Sequence, residues 1–114
     1  MPVVKYSELK LADVNTEGAA KTLKANVIGP GQGWQDHSLR LFRVDPGGFT
    51  PRHQHDWEHI IGVISGEVRL TIGGEVFELA ERDFAIVPPN IVHQFENPHP
   101  DPVEFICIVP NRGA

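Results

Sequence analysis

"GGFTPRHQHDWEHIIGVISG", residues 47–66, is the stretch from which the fold is read, because it sets three of the chain's six histidines within seven positions. His53 and His55 alternate, so on an extended strand rising about 3.3 Å per residue they share a face and can reach one ion. His59 does not fit the same strand. On a straight run it would lie roughly 13 Å beyond His55, whereas nitrogen ligands sit about 2.1 Å from a divalent metal. A shared ion therefore requires the chain to bend or reverse at Asp56-Trp57-Glu58, with His59 opening the next strand. The competing reading is a set of ordinary edge histidines, and a lone His-x-His is weak evidence against it. His59, and a later strand histidine (His93 in "NIVHQFEN", 90–97), shift the balance. Clustered imidazoles lose solvation and repel when protonated unless something is bound between them.

Outward from this stretch, short apolar segments alternate with turn residues. "HSLRLFRV" (37–44) reads as a strand and "DPGG" (45–48) as the turn that stops it. Val68–Ile72 and Glu75–Leu79 flank Gly73-Gly74, which predicts a two-residue hairpin of the primed type. "DFAIVPPNIVHQFEN" (83–97) is a strand, a proline turn and a second strand, and "VEFICIVP" (103–110) closes the series. "EGAAKTLKANVIG" (17–29) is ambiguous: its alanines and lysines could start a helix, while "KANVIG" reads as a strand. Eleven glycines and ten prolines in 114 residues, with eight to ten short strands, point to an all-β jelly roll or small barrel.

The length fits one domain with a real hydrophobic core. One cysteine, Cys107, excludes an intrachain disulfide and suits a reducing cytoplasm. "MPVVKYSELK" lacks the apolar core of a signal peptide, and the apolar runs are too short to span a membrane as a helix. A net charge of −5 with scattered Lys and Arg makes nucleic acid an unexpected partner.

The paired motifs resemble those of the cupin superfamily. Gly47, His53, His55, His59 and Gly66 match the first cupin motif without a gap, with His59 in the glutamate slot. Pro88, His93 and Asn97 match the second, with Arg82 and Asn90 replacing its two glycines; fifteen residues separate the motifs. The resemblance covers about residues 37–110 of what reads as a single cupin domain over 1–114. It implies a double-stranded β-helix, a jelly-roll barrel with one metal in its wider mouth. With histidine replacing the acid, the chain is similar to the small bacterial cupins with four-histidine sites, which are associated with manganese and oxidative chemistry. The resemblance thus implies His53, His55, His59 and His93 as ligands and a homodimer as the assembly. Glu58, one position early, is the other candidate acid, read more simply as a solvated carboxylate or one that orients a ligand imidazole.

Generic preferences of four imidazoles favour zinc, copper, nickel or iron, whereas the resemblance favours manganese or iron, and manganese is the expectation adopted. Four neutral ligands leave the ion's charge uncompensated, which favours an anionic substrate. Alternation in 103–110 turns Phe105 and Cys107 inward and Glu104 outward. Arg40 reads as a strand-edge surface residue or as one reaching in to hold a substrate carboxylate. Trp57 reads as a wall of the pocket mouth or the cover of a dimer contact, and His37 and His99 as solvent-facing. The expected function is a dioxygenase-type oxidoreductase acting on a small organic substrate with dioxygen or peroxide. The alternatives are a non-redox isomerase or lyase, and a binding or sensing module without turnover.

Overall fold

The structure is a computed structural model that describes residues 3–114. Its nine strands are β1 (Ala12–Asp13), β2 (Ala20–Ile28), β3 (His37–Phe49), β4 (His59–Ser65), β5 (Val68–Ile72), β6 (Glu75–Leu79), β7 (Phe84–Val87), β8 (His93–Glu96) and β9 (Val103–Pro110). Single turns of 3-10 helix lie at Tyr6–Glu8, Pro30–Gln32 and Asn111–Gly113. All pairings are antiparallel, in the order β6-β5-β8-β3-β9-β4-β7, with β2 along β3 and β1 on β2. The sheet curls into a nearly closed all-β barrel, the jelly roll that the strand spacing predicts.

One ambiguity is resolved and one expectation corrected by β2 and β3. The ambiguous segment forms strand from Ala20, since residues 20–28 pair with β3. "DPGG" does not stop β3, which runs on to Phe49. Gly47 takes φ +82°, and a Cβ on Gly48 would strike the carbonyls of Ala20, Asp45 and Lys21. The two glycines thus absorb a bend within the strand, opposite a register shift at Lys21. The Gly73-Gly74 connection is the expected tight hairpin, with Gly73 at φ +60° and Ile72 paired to Glu75.

The barrel interior is filled by alternate side chains, among them Val44, Ile61, Val63, Val68, Leu70, Val87, Phe95, Val103, Phe105 and Val109. Glu104 occupies the outward register but is not solvated. The Tyr6 hydroxyl donates to its carboxylate at 2.6 Å, so the amino-terminal turn covers it. That hydrogen bond is also the chief cause that raises the Tyr6 pKa. The second motif's asparagine is a structural tie: the Asn97 side-chain amide, 1% exposed, donates to the carbonyls of Val44 (2.9 Å) and Asp101 (2.8 Å). Arg82 and Asn90, which stand where the motif has glycine, keep left-handed φ values of 72° and 63°. The backbone shape is retained although the residue best suited to it is not.

Candidate metal centre

The bend required by the histidine spacing lies at Asp56-Trp57, and His59 is the first residue of β4. His53 is carried by a short bridge to His93, whose backbone groups exchange hydrogen bonds with it at 3.2 and 2.9 Å. His93 in turn opens β8 beside Ile72. Local extended geometry and the β8 ladder therefore bring residues forty positions apart onto one wall.

Ligand atoms of His53, His55 and His93 all lie within 4.8 Å of one another. Nitrogens about 2.1 Å from one centre lie at most about 4.2 Å apart, so small side-chain rotations suffice to bring these three onto a common ion. The His53 and His55 Nε2 atoms approach to 3.1 Å. The His59 ring lies 4.9 Å from that of His93 and 5.3 Å from that of His55, centre to centre. Its Nδ1 is 3.2 Å from Cys107 Sγ, and its buried Nε2 has no hydrogen-bond partner among the described residues. His93 Nδ1 is 3.0 Å from the Ile91 carbonyl, which places its proton there and leaves Nε2 with the lone pair.

Burial, followed by the charges of neighbouring imidazoles and Arg40, pushes His53 down to about 4 and His59 down to about 3. His55 and His93 are also lowered, burial being the first cause in each. At neutral pH the rings are neutral and able to ligate. An unpartnered buried nitrogen and adjoining neutral imidazoles, with no carboxylate lining the cavity among the described residues, form a donor set that fits a divalent transition metal. Glu58 does not line the cavity.

The histidines sit at one side of a cavity of about 200 Å³. Phe105 and Cys107 line it, as does Arg40, which is buried and not at a surface edge. Antiparallel register explains the placement, since Arg40 lies opposite Cys107 and Phe42 opposite Phe105. Trp57 does not line the cavity: its ring lies flat on His55, 4.4 Å away at 3°, with the Arg112 guanidinium 5.3 Å from its centre. That stacking fixes the orientation of His55. His37 stacks on Trp34, and His99 lies between Glu67 and Glu78, half-buried and paired instead of freely solvated. Lys24, Phe42, Thr50 and Phe95 also line the cavity and were not found by sequence reasoning. For Arg40 and Phe42 the available signal was alternation along β3, once the inward face was known.

The cupin domain pattern matches residues 40–109. Over 107 residues the chain is 30% identical to 1-methylthio-D-xylulose 5-phosphate methylsulfurylase of Rhodospirillum rubrum, covering 92% of this chain and 68% of that one. It is 36% identical over 87 residues to mannose-1-phosphate guanylyltransferase RfbM of Salmonella typhimurium, covering 75% of this chain but only 17% of that protein's length. Among solved structures, the polyketide cyclase RemF from Streptomyces resistomycificus superposes with a TM-score of 0.89 at 28% identity, over 96% of this chain and 79% of that one. A predicted oxalate decarboxylase from Thermotoga maritima has a TM-score of 0.85 at 19% identity, over 95% and 97%, a likeness of fold alone. With both motifs in place on the barrel and the domain pattern spanning more than half of its residues, the chain belongs to the cupin domain family.

Proposed function

We propose that the chain is a metal-dependent enzyme in which His53, His55, His59 and His93 hold one divalent ion, manganese by preference, and oxidise a small organic substrate in a dioxygenase-type reaction. The observation that carries this reading is the convergence of four neutral imidazoles on one cavity that no carboxylate lines among the described residues. Cupins usually bind a divalent metal, and three of these rings already lie within reach of a common centre. A redox-active ion held there supplies the electron-transfer chemistry that reaction with dioxygen or peroxide requires. The chain's own groups orient and enclose. Cys107 and the Ile91 carbonyl fix the Nδ1 sides of His59 and His93, Trp57 holds the His55 ring flat, and Phe42, Phe95 and Phe105 present an apolar wall that excludes water.

The test is metal content of protein purified without a histidine tag, with electron paramagnetic resonance under air and under nitrogen. Near-stoichiometric manganese, iron or copper with an oxygen-sensitive signal is expected, and loss of metal in His59→Ala but not in His99→Ala. Zinc alone, or no metal after reconstitution, would overturn the oxidative reading. Likeness to the polyketide cyclase supports a second reading, Lewis-acid catalysis without net oxidation, which the zinc outcome would favour.

The outer face of β4 and β7 supports a homodimer. Phe84, 78% exposed, lies over Gly62, and the exposed Ile60 and Ile86 are direct cross-strand neighbours. A monomer rarely leaves such a row uncovered. Sedimentation should give a dimer that Phe84→Glu dissociates; a monomeric wild type would refute it.

A further inference from the structure

Among the described residues Arg40 is a buried cation with little to compensate its charge. The residue is 6% exposed and faces the cavity. Its Nη2 donates to the Cys107 sulfur at 3.2 Å, a weak acceptor, and its Nη1 reaches the Gly113 carbonyl only at 3.4 Å. Its Nε is buried with no partner among the described residues, and the guanidinium carbon lies 5.0 Å from the centre of the Phe42 ring. Lys24, on β2, lines the same cavity; burial and then the charge of Arg40 push its amine below the ordinary lysine value. Neither cation forms an ion pair with a carboxylate among the described residues, and no Asp or Glu lines the cavity. Burying a guanidinium without a counter-charge is unfavourable unless a ligand provides one.

The remaining lining specifies what else such a ligand carries. Phe105 stacks between Phe42 (5.5 Å) and Phe95 (4.6 Å), and all three rings face the cavity. At about 200 Å³ the space is below that of ordinary drug-sized pockets and suits one ring or a short chain. One sulfur separates the guanidinium from the histidines, since Cys107 Sγ is 3.2 Å from both Arg40 Nη2 and His59 Nδ1.

We propose that the cavity takes a small organic carboxylate with an apolar body, its carboxylate held by Arg40 and Lys24 and its body against Phe42, Phe95 and Phe105. Arg40's planar fork matches a carboxylate, and the ligand supplies the counter-charge that the fold omits. The assignment deepens the reading of a substrate site beside a metal and rests on that reading only for the substrate role, since the two cations bind the anion with or without an ion on the histidines.

Calorimetric titration of the full chain, as purified and after chelator treatment, tests this with benzoate, its neutral isostere benzamide and inorganic phosphate. Benzoate should bind both preparations at least about tenfold more tightly than benzamide, the difference expected from charge-assisted hydrogen bonds. It should also bind more tightly than phosphate, which lacks the apolar body. Lys24→Gln and Arg40→Gln should each weaken benzoate by about tenfold or more and leave benzamide unchanged. Lys24 is half-buried on β2, so its variant keeps the test available if Arg40→Gln does not fold. Equal affinity for benzoate and benzamide, or undiminished benzoate binding in Lys24→Gln, would overturn the proposal, and tighter binding of phosphate would replace the organic acid with an inorganic anion. Metal uptake without benzoate binding refutes this inference alone. Benzoate binding without metal uptake leaves it standing while the metal reading fails.

Discussion

Acidifying the chelator-treated protein from pH 7 to pH 5 is expected to remove about 2 kcal/mol of stability through His59 alone. The ring sits 6% exposed at the head of β4, and its burial, followed by the charges of His93 and Arg40, holds it at about 3. In the unfolded chain it titrates near its ordinary value of about 6.5. Between about 6.5 and about 3 the unfolded chain carries a proton that the folded chain lacks. Stability is therefore fully present above that window and falls as pH falls through it. Each pH unit inside the window is about 1.4 kcal/mol, and pH 5 lies roughly 1.5 units into it, giving about 2 kcal/mol. His53, held at about 4, acts in the same direction, with less effect where its ring meets solvent. Urea unfolding at both pH values, on wild type and His59→Gln, subtracts the contribution of the carboxylates and other histidines. Wild type should lose about 2 kcal/mol more than the variant between pH 7 and pH 5. Equal losses would refute the reasoning, because His59 would then bind its proton as readily folded as unfolded.

Other substitutions probe the frame around the site. Gly66→Ala combines a φ of +79° with a Cβ driven into the backbone of Pro102 and Val103. It should lower unfolding free energy by about 3 kcal/mol or more in urea titrations. Phe105→Ala removes a ring only 1% exposed that stacks on both Phe42 and Phe95, and should lose about 3–5 kcal/mol by the same assay while enlarging the cavity. Arg82→Gly relieves a non-glycine residue at φ 72° and is expected to raise the thermal midpoint, by an amount equivalent to about 0.5–1 kcal/mol. A lower midpoint would show that the Arg82 side chain contributes more than its backbone strain removes.

The linear sequence by itself determined the local grammar of this protein. The two-residue alternation of His53 and His55, the need for a bend before His59 and the Gly73-Gly74 hairpin all follow from strand rise and turn chemistry. These rules act over a few residues and leave their mark on spacing. The inward face of residues 103–110 was legible for the same reason. What the spacing does not encode is which strand lies beside which, and in what register. Arg40 enters the cavity because it lies opposite Cys107 across β3 and β9, a pairing between residues 67 positions apart. Lys24 joins it because β2 runs along the other side of β3. The same non-local pairing carries β3 through Asp45–Gly48, where local turn chemistry alone would have stopped it. Glu104 is covered because Tyr6, 98 positions away, folds over it. Local periodicity sets which side chains share a face; closure of the barrel decides what that face meets.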